Sequence, residues 1–100
     1  MPFFLKILAA PEGEPVGIKL PLVDGQNLVG RISPPCSIVL KGTKVSKKHG
    51  SFLVQGNSVT VEDLKSSNGT FVNGKQVAQA TLKLKDRLVV GEYTLELGEA

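Results

Sequence analysis

Arg31, Lys44, Ser46, Lys47, Ser67 and Asn68 all carry hydrogen-bond donors, and the chain gathers them into three short runs, "VGR", "KVSKKH" and "KSSNGT". A guanidinium fork, ammonium groups, hydroxyls and a side-chain amide together suit a doubly charged oxyanion such as a phosphate monoester. No carboxylate interrupts the first two runs: Asp and Glu are absent from Gly25 to Thr60, where Lys41, Lys44, Lys47, Lys48 and His49 crowd together, with Arg31 just upstream and Lys65 downstream. A local positive field of this kind attracts anionic partners more strongly than the total charge of +3 implies. The bland alternative is a solvated loop rich in lysine.

An enzyme acting on phosphate needs a nucleophile, a general base or a metal, whereas this set holds and does not attack. His49 as base with Cys36 as nucleophile lacks a third, orienting group. One His and one Cys do not make a zinc site, so neither a metal nor another cofactor is expected. Phe71 and Val72 read as core rather than as a platform for stacked bases. The chemistry is recognition, and the chain is not expected to be an enzyme.

These residues need a scaffold, and the rest of the chain reads as short strands. Hydrophobic residues make up 41% of the 100 residues and Trp is absent, so Val, Leu and Ile must fill most of one modest core. A single domain over residues 1–100 follows from that length. "MPFFLKILAA" reads as a first strand and not as a secretory leader, because it has no charged leader region. The lone Cys36 excludes an internal disulfide and suits a reducing compartment, the cytoplasm, or the nucleus in a eukaryote. No run is apolar and long enough for a membrane-spanning helix.

Alternation predicts strands in "FFLKILAA", "VGIKLPLV", "QNLVG", "SIVL", "GSFLVQ", "SVTVEDL", "ATLKL", "DRLVVG" and "YTLELG". Turn signals recur about every eight to twelve residues, as in an all-β sandwich or barrel. Asn73-Gly74, between "TFV" and "KQV", fits a type I′ hairpin in which both central residues take positive φ. Asn68-Gly69 follows the longer polar run "DLKSS", whose hydroxyls, amide and exposed backbone N–H groups could grip a ligand.

The ordered set Gly30-Arg31, "VSKKH" and "SSNGTFVNG" resembles the forkhead-associated (FHA) domain, and the resemblance covers about residues 28–91. It implies a β-sandwich of about eleven strands with binding loops at one end, reading phosphothreonine segments in Ser/Thr kinase signalling. Carried over by position, Arg31, Ser46, Lys47 and Ser67 would contact the phosphate. Asn68 would hold the peptide backbone, and Lys44 would read the third residue after the phosphothreonine. Gly30, His49, Gly69, Thr70, Asn73 and Gly74 would be architectural, with the imidazole pinning the loops together. The implied partner is a phosphothreonine-containing protein of a kinase pathway, with no membrane. "SPPCS" departs from the family pattern, and its two prolines would reshape the rim of the site. Two other readings stand beside this one: a phosphate-independent assembly domain of the same fold, and a weak nucleic-acid binder using the lysine-rich loop.

Overall fold

Strands that bury one face need apolar residues at every second position, and "FFLKILA" supplies them: Phe3, Leu5 and Ile7 are buried while Phe4, Lys6 and Leu8 are half-buried. The computed structural model describes residues 2–100; Met1, where the reading of the first strand began, lies outside them. The described residues form eleven strands and no helix. They are β1 (Phe3–Ala9), β2 (Lys19–Pro21), β3 (Gly25–Gly30), β4 (Ile38–Val39), β5 (Gly50–Gln55), β6 (Ser58–Asp63), β7 (Thr70–Val72), β8 (Lys75–Val77), β9 (Gln79–Leu82), β10 (Arg87–Val90) and β11 (Tyr93–Glu99).

Two sheets stack face to face. One has the order β2-β1-β11-β10-β7-β8 and the other β4-β3-β5-β6-β9. Pairing is antiparallel except between β3 and β4. The inward residues of both sheets meet in one core that includes Leu5, Val29, Phe52, Val61, Leu88, Leu95 and Leu97, each at most 1% exposed. Tyr93, Leu95 and Leu97 all point inward, as their alternation predicts.

Three expected strands are shorter than their sequence pattern. "VGIKLPLV" contributes only Lys19–Pro21, because Gly17 adopts a left-handed φ of 82° and Pro21 cannot donate to a ladder. Its position at the sheet edge makes that loss harmless. "SIVL" pairs only through Ile38–Val39, and "ATLKL" leaves the sheet after Leu82. The Asn73-Gly74 turn has φ of 50° and 86°, the two positive values that a type I′ hairpin requires.

Antiparallel register gathers the chemistry-bearing loops. Val29 lies opposite Gly50, Gly50 opposite Asp63, Thr70 opposite Val90, and Val90 opposite Tyr93. The end of β3, both ends of the β4–β5 loop and of the β6–β7 loop, and the β10–β11 turn therefore share one end of the sandwich.

The opposite end is tied by Asn27, which is 2% exposed. Its Oδ1 accepts from Val23 N–H, and its Nδ2 donates to the carbonyls of Val23, Gly25 and Phe52 at 2.9 to 3.2 Å. Replacing Asn27 with Ala removes all four bonds and leaves the buried Phe52 carbonyl without this donor. A loss of about 2–3 kcal/mol is expected, read from the urea midpoint of unfolding.

Candidate phosphate-binding site

Arg31 leaves β3 directly into the loop end, and three bonds fix it. Its backbone N–H is shared between the carbonyls of Ser46 (3.0 Å) and Lys47 (3.2 Å), and its Nε donates to Val45 O at 3.0 Å. One of five guanidinium hydrogens is thus engaged, and those on the two terminal nitrogens remain for a ligand. This close approach of β3 to the β4–β5 loop depends on Gly30, because a Cβ there would stand 2.2 Å from Lys47 O and 2.7 Å from Cys36 Sγ. Cys36 is buried beneath the loop and its thiol donates to Lys47 O; burial pushes its pKa up, so it packs as a protonated thiol.

Ser46 is oriented from both sides. Its N–H donates to Nδ1 of His49 at 3.1 Å, and its Oγ accepts from Ser67 N–H at 2.9 Å. With a lone pair of Oγ engaged, the hydroxyl hydrogen is left to donate outward. The second imidazole nitrogen, Nε2, lies 2.8 Å from Gly69 O and donates to it. His49 is fully buried and joins the two loops, the architectural role that the resemblance implies.

The β6–β7 loop is built on Asp63. Its carboxylate accepts from Ser66 N–H (3.1 Å), from the Ser66 hydroxyl and from Thr70 Oγ1 (2.8 Å). Ser66 Oγ in turn accepts from Gly69 N–H at 3.0 Å. The expectation of free backbone amides in this loop is therefore corrected: those of Ser66, Ser67 and Gly69 already have partners within the protein. Gly69 is buried, with a left-handed φ of 85°. Asn68 remains exposed, its Nδ2 held by Lys44 O at 3.1 Å, which leaves Oδ1 to accept from a ligand.

A cleft of about 80 Å³ opens between the loops, lined by Arg31, Thr43, Lys44, Val45, Ser46, Ser67 and Asn68. Five of the six residues with chemical roles in the sequence reading meet there. Lys47 does not line it; its side chain is exposed, and its backbone carbonyl is what the site uses. Asn73 and Gly74 stand away from the cleft, where Asn73 bonds both the Asp86 carboxylate and the backbone of Arg87.

Sequence reasoning missed Thr43, Asp63, Glu92 and Tyr93. Glu92, in the β10–β11 turn, accepts from Thr43 N–H (2.9 Å), Thr43 Oγ1 (2.8 Å) and Lys44 N–H (3.1 Å). The Tyr93 hydroxyl donates to Lys41 O at 2.9 Å. Asp63 had a local signal, since an acid three residues before a serine is the spacing of a side-chain-capped turn. Glu92 had none, because it acts on residues 48 and 49 positions away in the chain.

Partial desolvation works against ionising Asp63 and Glu92, yet the hydrogen bonds they accept outweigh it and hold both below their ordinary values of 3.8 and 4.5. A folded-state value below the unfolded one gives stability that is complete above the unfolded value and lost as pH falls through the folded one. Acid unfolding should therefore weaken the loop end from about pH 4.5 downward. Asp63→Asn should lower stability at pH 7 and flatten its dependence on pH below that point, as read by denaturant midpoints at several pH values.

The FHA domain family model matches residues 27–91. The glycogen accumulation regulator GarA of Mycobacterium tuberculosis is 32% identical over 89 residues, covering 89% of this chain and 54% of GarA. The chain thus spans about half the length of that relative. The FHA domain of the CT664 protein from Chlamydia trachomatis superposes with a TM-score of 0.89 at 31% identity, over 100% of this chain and 99% of that one. A structure described as an analysis of phosphothreonine-dependent FHA domain interactions gives 0.87 at 26% identity, over 100% and 98%.

Proposed function

This chain belongs to the FHA domain family, and from that premise we propose that it is a phosphothreonine reader, a non-catalytic module that docks phosphorylated segments of a partner in Ser/Thr kinase signalling. The observation that carries the reading is the convergence of Arg31 and Ser46 on one cleft, each already anchored through one group and each with donor hydrogens left over. A phosphate ester brings a charge of about −1.5 to −2 and three acceptor oxygens at neutral pH, which matches that surplus. A Glu or Asp in place of phosphothreonine offers one charge and two oxygens, and binds poorly.

In this proposal Arg31 and Ser46 hold the phosphate, and Ser67 supports them from the facing loop. Asn68 accepts a peptide N–H through Oδ1 and keeps the segment extended across the cleft. Lys44 and Thr43 meet residues that follow the phosphothreonine, so acidic or polar side chains are favoured there. Lys47 adds to the surrounding field without touching the phosphate. The setting we propose is the cytoplasm, with a phosphothreonine protein as partner.

Fluorescence anisotropy with a degenerate phosphothreonine library and its dephosphorylated counterpart tests this. Binding should require the phosphate, and Arg31→Ala or Ser46→Ala should each weaken it about ten- to a hundred-fold, the loss of one charge-assisted bond set. Lys47→Ala should change it by less than about three-fold. Equal binding of both libraries, insensitive to Arg31→Ala, would favour a phosphate-independent assembly domain. A steep salt dependence with no need for phosphothreonine would favour nucleic acid.

A further inference from the structure

The outer face of the six-stranded sheet holds a second and larger cleft, of about 200 Å³, lined by Phe4, Lys6, Lys19, Lys85, Glu96, Leu97, Gly98 and Glu99. It lies toward the far end of β11, about 17 Å along that strand from Tyr93 and the recognition loops. Gly98 is bare of a side chain because the Phe4 ring lies across it, where a Cβ would come within 2.4 Å of the ring. The ring forms an apolar floor, and the Lys19 ammonium sits 4.8 Å from its centre.

Two local costs meet at this one notch. Lys6 stands directly opposite Lys19 on β2, where facing like charges destabilise a strand pair, and opposite Glu96 of β11 on its other side, which offsets part of that cost. Lys85 adopts a φ of 76°, a left-handed conformation that a lysine does not favour, and its backbone N–H is tied to Leu97 O at 2.8 Å. No carboxylate among the described residues comes within ion-pair distance of any of the three lysines. Among the described residues the one ion pair is Arg87 to Glu96 at 3.5 Å, so Glu96 is turned toward β10, and Glu99 pairs with none of the three lysines.

We propose that this notch is a second binding site, which takes a carboxylate side chain from an acidic segment of a partner protein. The three ammonium groups would share the incoming charge, and the Phe4 ring would cover the aliphatic stem of a glutamate. With three lysines against two glutamates on its lining, the notch carries a net charge of +1, which matches one entering carboxylate side chain and not a run of phosphates. The proposal does not rest on phosphothreonine reading, because none of its residues lines the first cleft.

The test is an amide NMR titration of the intact chain with capped hexaglutamate at physiological salt. Shifts are expected at Phe4, Lys6, Lys19, Lys85 and Gly98, with affinity falling at least about five-fold in the Lys6→Gln, Lys19→Gln double variant and unchanged in Arg31→Ala. Lys85→Asn, which suits the left-handed conformation, should weaken hexaglutamate while raising the thermal midpoint. Shifts confined to Lys44, Ser46 and Asn68, or no shifts at millimolar peptide, would overturn the proposal. So would undiminished hexaglutamate binding in the double variant.

Discussion

The imidazole of His49 is the fully buried group that joins both recognition loops from beneath, under the exposed bonds of Ser46 to Ser67 and of Lys44 to Asn68. Nδ1 receives the N–H of Ser46 from the β4–β5 loop, and Nε2 gives its hydrogen to Gly69 O at the foot of β7. The backbone of His49 adds a bond to Val29 O and receives one from Leu64 N–H. Four bonds from one residue therefore tie β3, the two loops and, through Gly69, the opposite sheet. The facing N–H of Ser46 fixes the tautomer, since only an unprotonated Nδ1 can accept from it. Lysine and arginine bring only donors, and a carboxylate at neutral pH brings only acceptors, so neither type can replace this bridge.

Charge is segregated around that bridge. Asp63 and Glu92 are the two acids at this end whose carboxylates hold the loops, and each accepts three bonds from them. Arg31, Lys44, Lys47, Lys48 and Lys65 are exposed and take part in no ion pair among the described residues. The acids thus brace the loops without cancelling the field in front of them. Loop order is established during folding, so a ligand meets donors that are already aligned and less entropy is lost on binding.

How far the sequence reached depended on the distance over which each residue acts. Strand existence was legible from alternation because it is local, and the I′ turn at Asn73-Gly74 was legible from two adjacent residues. Arg31, Ser46 and Asn68 were legible because the spacing of their motifs resembles a family. Strand length was less legible: β4 stops where its neighbour β3 ends at Gly30, which depends on the sheet, whereas β2 is cut short by its own Gly17 and Pro21 although β1 runs on to Ala9. Ser66 Oγ, three residues before the Gly69 amide it accepts from, is a local signal of the Asp63 kind, whereas the partner of the Ser67 amide, Ser46 Oγ, lies 21 residues away and nothing nearby announces it. Glu92 was invisible for the same reason, being brought to Thr43 only by the closure of the sandwich.

The division between engaged and unengaged groups also bears on where selectivity can reside. The loops that line the recognition site are fixed by His49, Asp63 and Glu92, and changing any of these three would disturb the loops before it altered a preference. The rim is different. Lys44, Lys47 and Lys65 project exposed side chains that take part in no ion pair among the described residues, and Ile32 stands 38% exposed beside Arg31. Substitution on that rim leaves the bridge, the two carboxylates and Gly30 in place. In the proposed reading, a fold arranged this way would keep its affinity for the phosphate group constant while its choice of flanking residues varied, because the two properties would be carried by different atoms.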